Sequence, residues 1–324
     1  MTYETPHVSP EKTLMRRTLG LAVAFAIAPG LAMAAEPSAV RVEGTRVRMT
    51  PPRGFVPAEL FPGFQQVASG SSILVSEIPG PYSGLRSGMT KDGLASRGMT
   101  LLSSEPARLG GLDGALISVA QDAKGISFRK WLGLFGDEAE TLMIVATFPA
   151  SAAAALSDPL KRAVLTARWD REAKPKIFEG LTFRIDETAD LKISRRIANA
   201  LMLTKDGKPG PVTPSDPLLV VGTSHSAVRI DDIQAFARRR VMQTAQVKDL
   251  RNRSEGPMTI DRLPGYEIVA SAKDADSGAS IVVYQAIVVK DDVYYLVQGL
   301  VGAASSEKYV PEFRRVANSL SINR

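Results

Sequence analysis

One stretch of this chain is written twice. Residues 125–167 lie over residues 278–320 at a constant offset of 153 without a gap, so that Gly125 meets Gly278, Ser127 meets Ser280 and Arg162 meets Arg315. The apolar positions agree more widely: Phe128 with Ile281, Trp131 with Tyr284, Leu134 with Ile287, Ile144 with Val297, Phe148 with Val301 and Leu160 with Phe313. A duplicated pattern of this length must satisfy the same packing problem twice, which narrows the folds open to it.

Each copy reads alike. A strand (Ala115–Gln121; Tyr266–Ala272), a turn, a second strand (Ile126–Phe135; Ala279–Val289), a charged turn and a third strand (Thr141–Phe148; Val293–Val301) lead into a helix. The turns are polar and the strands rich in β-branched and aromatic residues, as an antiparallel meander requires. Val310, Phe313, Val316, Ala317 and Leu320 recur at helical spacing, which turns Arg314 and Arg315 away from the sheet. An earlier helix opens at Asp231-Asp232 and presents Ile233, Phe236, Ala237 and Val241 on one face. Its counterpart near Ser83 to Arg97 is interrupted by Gly84, Gly88 and Gly93. The fold class is therefore α+β in two tandem copies. Arg171 to Lys176 is charged, carries Pro175 and has no periodicity, as a linker would. The expected division is a first domain over 35–170, the linker over 171–176 and a second domain over 177–324. Each domain is long enough to bury a core without staples. The Pro-rich stretch from Gly207 through Pro217 is expected as a surface loop.

The third strand of the second copy carries paired aromatics, Tyr294-Tyr295-Leu296, and the final helix has the form Phe313-x-x-Val316-x-x-Ser319-Leu320. In these features the second copy resembles the PsbP/Mog1-like family over residues 215–324, and the first copy does so through the repeat. The first copy departs from the pattern, with Thr141-Leu142 in place of the tyrosines. The resemblance implies an α/β/α sandwich in each copy, a mainly antiparallel sheet flanked by helices, and accessory or protein-binding roles without catalysis. It carries no binding residues onto this chain.

The beginning of the chain differs in kind from the rest. Met15-Arg16-Arg17 precedes an uncharged run from Leu19 to Ala28, followed by Pro29-Gly30 and the small-residue exit Ala32-Met33-Ala34. These are the parts of a secretory signal peptide over 1–34, cut after Ala34. The run is shorter than the about 20 apolar residues a spanning helix needs. Arg16-Arg17 meets the twin-arginine pattern only in part, and nothing downstream calls for a cofactor-loaded cargo. A periplasmic location, with no integral membrane segment in the mature chain, is the expectation. The absence of cysteine fits two cores large enough to stand without disulfides.

Reactive side chains are scarce. The chain has no cysteine and two histidines, of which His7 falls in the leader and His225 in the mature part. Most zinc sites, Cys–His nucleophiles and iron–sulfur clusters are thereby excluded, and no cofactor or metal is expected. His225 sits in Thr223-Ser224-His225-Ser226, but a serine hydrolase brings its nucleophile from a sharp turn elsewhere, and no G-x-S-x-G occurs. His225 is expected as a loop residue, and no catalytic residue is assigned. The carboxylate pairs Asp137-Glu138 and Asp291-Asp292 occupy turns. Asp274-x-Asp276-x-Gly278 is also a turn, because an EF-type calcium loop needs an acidic twelfth position, here Gln285.

The most informative charges are Arg238-Arg239-Arg240 on the earlier helix. At 100° per residue Arg240 returns toward Ile233, where it should reach a carboxylate or carbonyl, while Arg238 and Arg239 turn outward. With Arg251 and Arg253 on the next segment they form the candidate binding surface, suited to an acidic envelope protein or peptide. The net charge is +6, mild for this length and spread along the chain, so nucleic acid is not an expected partner. The expected function is a non-catalytic periplasmic interaction or accessory protein. The alternatives are a small-ligand or lipid carrier and a hydrolase using serine or carboxylates.

Overall fold

The computed structural model describes residues 38–123, 125–209, 213 and 215–323. The leader, its cleavage site and part of the Pro-rich loop, including Pro211 and Pro214, lie outside the described residues.

Alternating apolar residues build two seven-stranded antiparallel sheets. The first contains β1 (Val56–Pro57), β2 (Gly63–Gln66), β3 (Ser71–Pro79), β4 (Met99–Leu109), β5 (Leu112–Ala123), β6 (Ile126–Gly136) and β7 (Glu140–Pro149). The second contains β8 (Leu191–Ile197), β9 (Ala200–Lys205), β10 (Leu218–Thr223), β11 (Val247–Ile260), β12 (Leu263–Asp274), β13 (Ser280–Lys290) and β14 (Val293–Gly302). The spatial order is β1-β2-β3-β7-β6-β5-β4 in one and β8-β9-β10-β14-β13-β12-β11 in the other, so the two orders are the same. The registers also match: Trp131 stands opposite Ala146 and Tyr284 opposite Gly299, each pair displaced by the offset of the sequence repeat.

Helices cover both faces of each sheet, giving the three layers expected of tandem α/β/α sandwiches. In the first half α1 (Tyr82–Ser87) and α2 (Lys91–Ala95) cover one face, and α3 (Ala153–Leu165) the other. In the second half α4 (Ile233–Val241) and α5 (Ser306–Ser319) take those places. The earlier helix of the first half breaks after Ser87, at Gly88, into two short pieces that accommodate Gly84 and Gly93 inside them, whereas α4 is continuous and starts where the Asp232 carboxylate accepts from the Ala235 amide at 2.9 Å. Buried Gln285 donates to the Ala237 carbonyl at 2.9 Å, so the residue that fails the calcium pattern ties α4 to the sheet. The paired tyrosines divide between the layers: Tyr295 packs edge-on to Phe183 and Tyr294 tilts against Phe236.

Each half also has a closing ladder. Val47–Met49 pairs with Val40–Arg41 and with Arg168–Trp169, the strand that follows α3. Phe183–Arg184 pairs in the same way with Ser321–Ile322, which follows α5. The duplication thus extends well beyond the segment where the sequence shows it. Pro37–Arg324 form one compact unit containing both sheets.

The hairpin connections show why the chain turns where it does. Asp291 and Asp292 (φ 51° and 61°) form a two-residue turn of left-handed residues, and Asp261-Arg262 does the same between β11 and β12. Such turns match the twist of the strands they join. Asp137 instead accepts from the amides of Ala139 and Glu140, and Asp274 from the amide and hydroxyl of Ser277. The turn readings of these carboxylates therefore hold.

Candidate functional site

The basic surface predicted on the second half is divided by the fold. Arg238 does face outward, but its Nε and Nη2 both engage the Glu255 carboxylate of β11, with Nε to Oε1 at 3.0 Å. Asn252 donates to the same carboxylate at 3.1 Å. These bonds, led by that from Arg238, hold the Glu255 pKa below its ordinary value. Arg238 is therefore an ion-paired strut between helix and edge strand. Its neighbour Arg239 is exposed and in no ion pair among the described residues. Arg240 is half-buried, yet reaches no carboxylate or carbonyl among the described residues, contrary to its expected role.

Register separates the remaining two arginines from the helix. Glu255 stands opposite Ile268 and Asn252 opposite Ala270, both in the cluster beneath α4. Arg251 stands opposite Ser271, one step along β12 from Ala270, and so belongs to the other face. Arg253 falls in the bulge between Asn252 and Ser254. Arg251 and Arg253 are exposed along a sheet edge, the outermost strand in the order, and do not join Arg239 in one patch. Sequence spacing could not foresee this, because two bulges reset the alternation along β11.

On the final helix Arg314 departs from expectation. It turns to Glu267 of β12 in a bidentate pair, Nε to Oε2 at 2.8 Å and Nη2 to Oε1 at 2.6 Å, and does not point away from the sheet. Its amphipathic stem lets it cross the edge of the apolar layer.

His225 meets an amide. Its Nε2 lies 2.7 Å from Asn199 Oδ1, while Asn199 Nδ2 donates to the Thr223 carbonyl and hydroxyl at 2.9 and 2.8 Å. With both amide hydrogens used, Asn199 offers an acceptor, so Nε2 carries the proton. The ring stands edge-on to Phe61 of the first half, with centroids 6.2 Å apart. Although the residue keeps an exposed side, the crowding desolvates the imidazole and lowers its pKa. His225 is thus a contact between the halves. The described residues contain no group of three or more His, Cys, Asp or Glu side chains placed to hold a metal.

A denser charged cluster lies where sequence reasoning assigned no site. Glu77 of β3 accepts from Arg46 Nε at 2.6 Å, from the Arg46 amide at 3.1 Å and from Trp169 Nε1 at 2.6 Å. Glu140, at the start of β7, pairs with Arg46 Nη2 and accepts from Arg171 Nε at 2.6 Å. Arg171 also reaches Asp137 at 2.6 Å, and both guanidinium groups stack over the Trp169 ring. Bonds from Arg171 and from two backbone amides bring Asp137 down to about 2. Burial alone would raise the Glu140 pKa, but Arg46 and Arg171 outweigh it and hold it below the usual value. Arg171, the first residue of the predicted linker, is thereby fixed to the first half.

Arg196 of β8 completes the junction from the second half. Its Nε donates to the Ala198 carbonyl at 2.7 Å, and its Nη1 to the carbonyls of Glu179 and Ile177. No side-chain carboxylate accepts from it among the described residues. Desolvation brings its pKa down to about 10 against the attraction of Glu179 and Glu77. The guanidinium rests on Gly44, which has φ 69° and where any side chain would collide with it. Nearby, Arg41 of the first half forms an ion pair with Glu179. Nothing in the local sequence marks Arg46, Glu77 or Arg196 as partners. Only the two aromatic-basic neighbours Trp169 and Arg171 could have hinted at them.

No family model matches the chain, and no curated protein matches it. Among solved structures the chain is similar to the T6SS immunity protein TplEi of Pseudomonas aeruginosa, at 13% identity over 87% of this chain and 97% of that one, with a TM-score of 0.31. It is similar to a chain of the Tle4–Tli4 complex at 10% identity, 83% and 98% coverage and a TM-score of 0.31. It is also similar to CyanoP, the cyanobacterial PsbP of Synechocystis, at 10% identity over 44% of this chain and 92% of that one, with a TM-score of 0.27.

Proposed function

We propose that this chain is an exported periplasmic protein of two PsbP/Mog1-like domains, 35–170 and 177–324 joined at 171–176, that acts by binding an acidic envelope protein or peptide and not by catalysis. The observation carrying this reading is the edge strand β11. Arg251 and Arg253 stand exposed on it and are in no ion pair among the described residues. A long unpaired strand edge with uncompensated cations suits a partner that supplies both backbone acceptors and negative charge. The histidine supports the same reading, since its proton is committed to Asn199 and it has no serine or carboxylate partner among the described residues.

The test is retention of an envelope protein by the tagged mature chain at low salt. The parent is expected to retain it and release it as salt is raised, and Arg251→Glu/Arg253→Glu is expected not to retain it. Equal retention by both proteins would reject the surface.

The carrier reading draws on a different observation, a recess of about 270 Å³ whose lining combines Val42, Phe55, Phe61 and Phe64 with Arg41 and Glu43. Mass spectrometry of an organic extract of the purified protein tests it. A stoichiometric lipid would favour carriage over protein binding.

A further inference from the structure

Where the two halves meet, the stretch from Ala173 to Glu179 borders a recess of about 730 Å³, within the size range of small-molecule sites. Its charged lining is Arg41, Lys174, Lys176 and Arg184 against the one carboxylate of Glu179. That carboxylate is already taken, since Arg41 holds it through Nη1, at 3.0 Å, and through Nη2. Lys174, Lys176 and Arg184 are left without an acceptor or an ion pair among the described residues. All three are exposed, so a solute can reach their donors. Glu77 and Glu140 do not line this recess.

Three uncompensated cations around one concavity repel one another and concentrate a positive potential there, which draws anions. Local structure holds them in place. Lys174 and Lys176 flank Pro175, whose ring fixes its own φ and keeps Lys174 from helical backbone. The turn that follows is closed by the Glu179 amide, which donates to the Lys176 carbonyl at 3.0 Å. Arg184 pairs with Ser321 in the closing ladder and lays its guanidinium 5.2 Å from the centre of the Phe178 ring. The remaining lining includes Pro175, Ile177 and Phe178, of which Ile177 is exposed. A ligand matched to this recess carries more than one negative charge at one end and a hydrocarbon body at the other. A phosphomonoester does so: near neutral pH its phosphate holds close to two charges and three acceptor oxygens, enough for two ammonium groups and a guanidinium fork.

We propose that this recess binds a phosphomonoester with an apolar body, its phosphate among Lys174, Lys176 and Arg184 and its body against Pro175 and Ile177. The recess shares no residue with the basic edge of β11, so its success or failure leaves the protein-binding reading untouched.

The experiment is calorimetric titration of the purified protein with hexyl phosphate, with hexyl sulfate, inorganic phosphate and hexaglutamate as comparisons. Hexyl phosphate is expected to bind about tenfold more tightly than hexyl sulfate, which has the same body and a single charge, and about tenfold more tightly than inorganic phosphate, which has no body. Its affinity should rise as the pH passes through about 6 and the phosphate takes its second charge, while that of hexyl sulfate stays flat. Lys174→Gln/Lys176→Gln and Arg184→Gln, all at exposed positions, are each expected to weaken hexyl phosphate by about tenfold, and Arg251→Gln/Arg253→Gln to leave it unchanged. Absence of heat with hexyl phosphate, or unchanged affinity in both recess variants, would overturn the proposal. Equal affinity for hexyl sulfate or for inorganic phosphate would reduce the recess to an adventitious anion site, and tighter binding of hexaglutamate would give it to an acidic peptide. Either result overturns the assignment. Sedimentation with phosphatidylcholine vesicles containing phosphatidic acid separates the two sources of such a ligand: co-sedimentation identifies a bilayer lipid and its absence a soluble phosphomonoester, and the proposal stands in both cases.

Discussion

Phe313 of α5 lies directly over Gly299 of β14, where a Cβ would stand 2.5 Å from its ring. The equivalent positions in the first half are Leu160 and Ala146, both in its buried core, so a smaller helix residue is matched with a larger strand residue. A second pair of positions runs the other way: Val164 lies over Gly133, where the second half has the buried Ala317 and Ala286. The two halves therefore close the same helix–sheet contact with opposite distributions of volume.

Gly299→Ala is expected to destabilise the chain by about 1–3 kcal/mol, because Phe313 is fully buried and cannot move aside. Phe313→Leu alone should also destabilise, by leaving a cavity. The double variant imports the first-half combination and should recover part of the loss. Urea denaturation of the four proteins measures the coupling, and strict additivity would show that the two positions do not share this contact.

His225 gives a pH-dependent prediction. Its folded pKa lies below the unfolded one, so the unfolded chain binds the proton more readily. Its contribution is complete above about pH 6.5 and falls away as the pH drops through the folded value. Thermal melts should show a shallow loss across that window, absent in His225→Ala. The same variant should keep any measurable activity, and a hundredfold loss of turnover with the fold preserved would make His225 catalytic.

Asp137 and Glu140 act in a lower window. Both have depressed folded pKas, so their contribution is present above the ordinary carboxylate range and lost as the pH falls toward Asp137's value of about 2. Glu140→Gln should cost about 1 kcal/mol at neutral pH once solvent screening is counted, and should flatten the acid limb. Identical acid limbs in parent and variant would show that the cluster adds nothing to stability.

Export is tested by N-terminal sequencing of the fractionated protein, which should begin at Ala35 in a periplasmic fraction. A cytosolic protein still beginning at or before Met15 would refute the leader.

The sequence by itself determined the repeated part of the fold. Alternation of side chains across a strand and their return around a helix are local properties, so neighbours such as Leu134 and Phe135, or Ile287 and Val288, announce opposite faces of a sheet without knowledge of the partner strand. The Asp232 cap, the Asp291-Asp292 turn and the broken helix around Gly88 were legible for the same reason. The closing ladders were not, because two-residue strands such as Arg168–Trp169 carry too few positions for a period. The charges were decided by tertiary structure alone. Arg238 finds Glu255 across a helix–strand contact, Arg46 finds Glu140 across 94 residues of chain, and Arg196 finds only backbone carbonyls. A charged side chain's partner depends on which segments the packed sheets bring within a few ångströms, and the long-range topology that sets those distances leaves no periodic trace beside the residue itself.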